Sequence, residues 1–299
     1  MSAQNQRNDH HRISPTAKLV AYWRAQSDIP YSKEIADSVR AEETARQILG
    51  ERIGILTTLA APHLEARYKS INRGLRREGL NNVLELAMGV SPRSLEYATS
   101  GQRGIYVGTD LPELLNESSD VLRRVATRHN ISTKNIHLQP ANVLEKEQLE
   151  NAIEHFEGNP FGVCNEGLLM YLSRDEQAIM AGHIKNYLNE FGGSWVTPDI
   201  SSLEQMEQSL SRYPTEIRQI AESVILGISN QTGRNIKDNY FPTEKEAEQF
   251  YTELGFSIEK FPFYDGNGLS TSELIPESLR PRILDSLLNR QAWILKPRK

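Results

Sequence analysis

The spacing of apolar positions divides the chain into regions. Residues 1–15 are rich in Gln, Asn, Asp, His and Arg and have almost no apolar side chains. They predict a mobile arm, because nothing there offsets the entropy of ordering. From Pro15 to about Leu80 apolar residues recur by threes and fours, at Leu19, Val20 and Trp23 and then at Ile35, Val39, Ile48 and Leu49. That spacing predicts a helical N-terminal extension over 16–80. Short apolar runs then alternate with amphipathic stretches, the pattern of βα repeats around a mainly parallel sheet. Strands are predicted at Asn82–Ala87, Gly104–Thr109, Ile136–Gln139, Gly162–Asn165 and Ser194–Thr197. Crossover helices are predicted where Leu114, Leu115, Leu122, Val125 and Ala126 share one face and Leu149, Ile153 and Phe156 another.

The next helix carries a capping box, Ser173 with Glu176, an apolar stripe from Ile179 to Phe191, and a Gly192-Gly193 stop. After Asp199 helical spacing returns at Leu203, Met206 and Leu210, breaks at Pro214, and resumes at Ile217, Ile220, Val224 and Ile225. This stretch, Leu203–Arg234, interrupts the alternation and predicts an insertion above the sheet. A second capping box, Thr243 with Glu246, opens a helix ending at Gly255. Strand-like runs at Phe256–Phe263 and Ala292–Leu295 follow, joined by a link too long and polar for a tight hairpin.

Composition narrows the function classes. Lys and Arg number 34 and Asp and Glu 39, for a net charge of −5. No nucleic-acid partner is expected, since a phosphate-binding face needs clustered positive charge. The single cysteine, Cys164, excludes an intramolecular disulfide or a cysteine metal cluster and fits a reducing, cytoplasmic setting. Within the fourth strand it reads as a small buried hydrophobe, not a nucleophile. No run reaches the ~18–20 apolar residues of a membrane span, and Met1 to Arg12 lacks the apolar core of a secretory signal. His10 and His11 have no third ligand nearby, so no metal is expected.

In an open α/β sheet ligands sit beyond the carboxyl ends of the central strands. After the first strand the chain reads Glu85-Leu86-Ala87-Met88-Gly89-Val90-Ser91-Pro92. Gly89 permits a turn close against a ligand, and Ser91 can cap a helix starting at Pro92. The next glycine is Gly101, so the pattern that admits a dinucleotide pyrophosphate is missing and NAD or FAD is disfavoured. The second strand ends in Asp110, placed to accept both hydroxyls of a ribose, although an aspartate before Leu111-Pro112 also reads as a helix cap. Together these features point to a nucleoside ligand without a pyrophosphate.

Three runs carry a family resemblance: Glu85-Leu86-Ala87-Met88-Gly89 with Arg93; Tyr106-Val107-Gly108-Thr109-Asp110-Leu111-Pro112; and Asn165-Glu166-Gly167-Leu168-Leu169-Met170-Tyr171-Leu172. With Ser14 to Lys18, Tyr22-Trp23, Arg67-Tyr68 and Thr197-Pro198-Asp199, they cover most of residues 14–200. The chain resembles the leucine carboxyl methyltransferase-like family of S-adenosylmethionine-dependent O-methyltransferases, which includes bacterial polyketide-biosynthesis enzymes. The resemblance implies a Rossmann-like class I methyltransferase: a seven-stranded, mainly parallel sheet with helices on both faces, over residues 81–299, with a helical lid at about 201–240. It implies S-adenosylmethionine as cofactor, with Gly89 under the amino acid part and Asp110 on the ribose. Arg67 and Lys18 would pair with the methionine carboxylate. Glu166 would accept from the ligand's amino group or line its pocket, and Asn142 would contact the adenine amine. Glu85, Ala87, Leu111 and Val143 complete the implied donor site. Ala87, Ser91 and Asn142 stand where the family commonly has glycine, aspartate and aspartate; at Ala87 the backbone is expected to sit further from the ligand.

The implied reaction is in-line methyl transfer to a hydroxyl or carboxylate oxygen of a small molecule, such as a polyketide-like phenol, in which orientation is the main requirement. Acceptor-side candidates are Tyr171, Arg212, Tyr213 and Tyr240. Two other classes stay open: a non-catalytic protein that binds S-adenosylmethionine or S-adenosylhomocysteine, and a Rossmann-type oxidoreductase.

Overall fold

The central strands are apolar on both sides, and the sheet is covered on both. The computed structural model describes residues 15–220, 222–223 and 236–298. The strands are β1 (Val83–Leu86), β2 (Tyr106–Asp110), β3 (Ile136–Pro140), β4 (Phe161–Asn165), β5 (Gly193–Thr197), β6 (Phe256–Pro262) and β7 (Gln291–Pro297). They lie in the order β3-β2-β1-β4-β5-β7-β6. β1 to β5 are parallel, and β7 is antiparallel to both β5 and β6. This is the expected seven-stranded, mainly parallel, Rossmann-like sheet.

The extension folds as α1 (15–24), α2 (Ser32–Ser38), α3 (Ala41–Leu49) and α4 (Ile53–Arg77). Between strands run α5 (Arg93–Thr99), α6 (Pro112–Arg128), α7 (Lys146–Ile153) and α8 (Arg174–Phe191). α9 (Leu203–Ser211) follows β5, α10 (Glu244–Glu253) precedes β6, and α11 (Arg280–Asn289) precedes β7. Neighbouring strand residues face opposite layers, as a two-residue repeat requires. Leu84, Val107, Val163 and Trp195 join Leu149 of α7, Met180 and Ile184 of α8 and Tyr251 of α10 in one core. Val83, Tyr106, Cys164 and Val196 join Ile71 and Leu75 of α4 and Ile283 and Leu287 of α11 in the other. α4 approaches the sheet closely because position 74 is glycine: a Cβ there would stand 2.6 Å from Val196 Cγ1.

Local signals are mostly realised. Ser173 and Glu176 form both halves of the capping box of α8. At α10 only half forms: Thr243 Oγ1 accepts from the Glu246 N–H at 3.2 Å but donates to the Glu246 carboxylate at 3.0 Å, in place of the backbone N–H of Thr243. α5 starts one residue later than expected, at Arg93, whose N–H reaches Ser91 Oγ at 3.3 Å. Asp110 does not cap α6; Leu111 holds the N-cap position. α11 stands inside the link that reads in sequence only as too long and polar for a tight hairpin. The turn before it is fastened by Glu65 of α4, whose buried carboxylate accepts from the N–H groups of Ser270 and Thr271 at 2.8 Å each.

The predicted arm lies outside the described residues apart from Pro15, and so do Val224, Ile225 and Arg234 of the insertion. The described part comprises α9 and a helical stretch over 215–220. It lies against other elements through Ser209 Oγ, 2.8 Å from Ser286 Oγ of α11, and Ser223 Oγ, which accepts from Arg52 at 2.8 Å. No described helix is long and apolar enough to cross a membrane.

Candidate active site

The strand order reverses between β1 and β4, which opens a crevice at their carboxyl ends. A cavity of about 350 Å³ occupies that place, within the range of ~300–1,000 Å³ usual for small-molecule sites. The turns after β1, β2, β3 and β4 form its floor, and α1 and α4 contribute Val20 and Leu64 to its sides.

Arg67, Ala87, Gly89, Asp110, Leu111, Asn142, Val143, Glu166 and Tyr171 all lie on this wall. Two proposed ligand residues do not. Lys18 pairs with Glu117 of α6 at 2.8 Å, so its ammonium is turned away. Glu85 is buried in β1, where one carboxylate oxygen accepts from Arg93 Nε at 3.0 Å and the other from the Tyr106 hydroxyl. A strand's two-residue repeat sends its side chain into the α4 layer, away from the cavity. Of the acceptor-side candidates, Arg212 pairs with Asp285 of α11 and Tyr213 packs on the α4–α11 core; neither lines the cavity. Tyr240 lines a second, smaller cavity of about 60 Å³ that shares Arg67, Gly167 and Met170 with the first.

The turn after β1 holds Ala87 at φ +49° and Gly89 at φ +53°. Alanine thus keeps the left-handed conformation that glycine adopts at no steric cost, and the change does not straighten the turn. A Cβ on Gly89 would come no closer than 3.6 Å to Ala17, so it is the backbone conformation that favours glycine there. Asp110 ties this turn to β2. Its Oδ2 accepts from the Gly89 N–H at 2.7 Å and its Oδ1 from the Leu111 N–H at 2.8 Å. Burial pushes this carboxyl up, against the pull of those two N–H groups, to about 6. Each oxygen keeps a lone pair for a ligand hydroxyl. After β3, Asn142 Oδ1 accepts from the Leu144 N–H at 3.1 Å, which leaves one lone pair on the amide oxygen.

Glu166, one residue beyond β4, is the electrostatic centre. Its Oε1 accepts from Arg24 Nη2 at 2.9 Å and Arg67 Nε at 3.1 Å, and its Oε2 from Arg93 Nη2 at 2.9 Å. Burial raises its proton affinity, but the three guanidiniums outweigh that and hold the carboxyl at about 2. Arg93 also stacks on Tyr68, 4.0 Å from the ring centre. The carboxylates that face these three guanidiniums are Glu85, Glu166 and, beside Arg67, Asp199. Arg24 Nε is buried without a hydrogen-bond partner.

Two of these groups carry no role in the sequence reading. Arg24 could have been found, since it lies four residues after Val20 on an otherwise apolar helix face. Asp199, after β5, accepts from Asn165 Nδ2 at 2.6 Å and from the N–H groups of Gly167 and Leu168 at 2.7 Å each. It sets the loop that presents Glu166, and burial raises its proton affinity against Arg67 and those N–H groups. Cys164 is fully buried, with its thiol pushed well up by that burial, as befits a core residue. Among the described residues no three His, Cys, Asp or Glu side chains are grouped to hold a metal ion.

No protein-family model matches the chain, and no curated protein matches it significantly. Solved structures are distantly similar to it. Magnesium protoporphyrin IX methyltransferase from Synechocystis PCC 6803, solved with bound SAH, is 12% identical with a TM-score of 0.46, over 85% of this chain and 92% of that one. An S-adenosylmethionine-dependent methyltransferase from Anabaena variabilis is 12% identical with a TM-score of 0.46, over 77% and 85%. A putative O-methyltransferase from Nostoc punctiforme PCC 73102 is 13% identical with a TM-score of 0.45, over 89% and 69%. At these values the likeness decides nothing about the chemistry, which has to come from the site.

Proposed function

We propose that the larger cavity binds S-adenosylmethionine and that the protein transfers its methyl group to an oxygen of a small-molecule acceptor. The observation that carries this reading is Asp110: a buried carboxylate at the end of β2, pinned by the glycine turn after β1, with lone pairs left on both oxygens at the cavity wall. Asp110 accepts the two ribose hydroxyls, and the N–H of Val143 and the oxygen of Asn142 meet the adenine edge. Arg24 and Arg67 face the methionine carboxylate. The orphaned Arg24 Nε fits an anionic group there. Glu166 then acts by orienting these guanidiniums, since both its oxygens are already engaged.

When bound, S-adenosylmethionine supplies an electrophilic methyl group that passes to the acceptor oxygen as its bond to sulfur breaks. The chain's contribution is positional: the turn at Ala87–Gly89 and the loop after β4 hold the two ends of the ligand, and α1 and α4 exclude water. Tyr171, on the cavity wall and 3.3 Å from Thr16 Oγ1, lies on the acceptor side. Burial raises its proton affinity, so it serves as a hydrogen-bond donor and not as a base.

Calorimetric titration with S-adenosylmethionine, S-adenosylhomocysteine and NAD tests the reading. Both sulfur nucleosides bind and Asp110→Ala weakens them; binding of NAD alone, or of none, overturns it. Binding without consumption of S-adenosylmethionine across a panel of phenols and carboxylic acids would favour a non-catalytic binder instead.

A further inference from the structure

The sequence holds one Asn-Gly step, Asn267-Gly268, in the link between β6 and α11. At such a step the backbone nitrogen of the glycine can attack the asparagine Cγ, because no glycine Cβ crowds the approach. The fold leaves this pair free to react. Both residues are exposed. Among the described residues neither the Asn267 carboxamide nor the Gly268 N–H takes part in a hydrogen bond. Gly268 stands at φ +70°, and a Cβ built on it would meet no atom within 4 Å, so a five-membered ring has room there.

The neighbouring Asp265-Gly266 step could close the same ring by losing water, but its side chain is held. Asp265 Oδ1 accepts from the Asn267 N–H at 3.2 Å, and Oδ2 lies 3.7 Å from Arg73 Nη1. On both sides of Asn267 the link is fastened to α4. Arg73 Nη2 donates to the carbonyl of Phe263 at 3.0 Å, and Lys69 Nζ to the carbonyl of Gly268 at 2.6 Å. Lys69 also reaches Asp28 Oδ1 at 2.6 Å, and Ser270 Oγ accepts from the Asp28 N–H at 2.9 Å, so the same fastening carries the connection between α1 and α2. Because the anchors flank a few residues only, an atom added to the backbone between them must be taken up by these bonds.

We propose that Asn267 is a site of spontaneous deamidation, through which the chain modifies itself with age and loosens this turn. The Gly268 nitrogen bonds to Asn267 Cγ, the bond from Cγ to Nδ2 breaks, and the proton of the Gly268 N–H ends on the departing ammonia. Hydroxide catalyses the step, since the attacking nitrogen must first lose that proton. Water then opens the cyclic imide at either carbonyl. One opening leaves aspartate at 267; the other leaves an isoaspartyl link, whose main chain runs through the former side chain and is one carbon longer. Each product adds one negative charge. The longer link draws the Gly268 carbonyl away from Lys69, whereas the aspartate form keeps the backbone as it is. The site is independent of the methyl-transfer reading.

The test incubates the full chain at pH 8.5, folded and, as reference, unfolded in guanidinium chloride, and follows each asparagine by peptide mass spectrometry. Asn267 of the folded protein is expected to exchange NH2 for OH within about tenfold of the unfolded rate, because no bond on the reacting groups has to break first. The other asparagines lag behind it. A protease that cuts before aspartate but not before isoaspartate separates the two products. Asn267→Gln, whose longer side chain would have to close a six-membered ring, stays unmodified and melts with fresh wild type. The isoaspartyl form melts about 2–4 °C lower, as for loss of one charge-assisted hydrogen bond, and freshly prepared Asn267→Asp does not. Asn267 left intact in the folded protein while the unfolded chain converts, or conversion no faster than at the other asparagines, would overturn the site. An isoaspartyl form that melts with fresh protein, or Asn267→Asp melting as low as that form, would overturn the loosening of the turn.

Discussion

Arg24 Nη2 donates to Glu166 Oε1 at 2.9 Å, which joins the first helix of the extension to the end of β4 across 142 residues of sequence. Because the same oxygen also takes Arg67, and the other takes Arg93, one carboxylate fastens α1, α4 and α5 to the sheet at the cavity. The extension is therefore part of the site's wall.

Glu166→Gln should destabilise the protein by roughly 3–5 kcal/mol, because three guanidiniums lose a buried counter-charge. The effect depends on pH in a defined direction. The folded carboxyl sits at about 2 against an ordinary 4.5, so its stabilisation is full above about 4.5 and is lost as the pH falls through about 2. Urea unfolding of wild type and variant from pH 6 to pH 2 reads this as a gap that closes towards acid. A gap of constant size would show that the charge of Glu166 is not what matters.

Donor affinity should fall with acid through Asp110. Its folded proton affinity is raised, to about 6, so below that pH a ligand that needs the carboxylate must displace a proton. The apparent dissociation constant for S-adenosylhomocysteine is expected to rise by up to about tenfold per pH unit below 6. Asp110→Asn binds weakly and without this slope. The unliganded protein responds in the opposite sense: the raised group costs stability at neutral pH, and that cost is relieved as the pH falls from 6 towards 3.8. Calorimetry between pH 5 and pH 8 checks the binding arm.

Ala87→Gly should raise stability by about 0.5–1 kcal/mol. A left-handed residue with a Cβ costs ~1–2 kcal/mol, part of which the extra freedom of glycine in the unfolded chain takes back. A lower melting temperature for the variant would mean that the methyl group's packing outweighs its backbone strain.

Asp199→Ala should free the amides of Gly167 and Leu168, which have no other acceptor holding the loop. Each buried donor left unsatisfied costs ~1–3 kcal/mol, so both stability and donor affinity drop. Hydrogen exchange at these two amides is the direct readout, with wild-type protection in the variant as the contrary result. Asp199→Asn, which keeps an acceptor oxygen, should fall between.

Much of the fold is legible because its signals are local. Strand positions follow from short apolar runs between amphipathic stretches, the ends of α8 from Ser173, Glu176 and Gly192, and the turn after β1 from Gly89. α11 is not assigned from the sequence, although Leu279, Ile283, Leu284 and Leu287 share helical spacing and pack on one core. Lys18 and Glu85 read as ligand residues through the family resemblance alone. Which way they point depends on a helix face and a strand repeat that also serve Glu117 and Arg93.

The sequence by itself determined the βα alternation, the glycine turn, the acid after β2 and the absence of a pyrophosphate cradle. These are properties of a few consecutive residues, whose conformational preferences act without the rest of the chain. Only the tertiary structure decided that Glu166 is shared by three arginines and that Asp199 braces the loop before it. Ion pairs and cavities depend on distances between residues far apart in sequence. A carboxylate's partner is whichever cation the packing of helices on the sheet brings within ~4 Å, where burial makes the pairing strong.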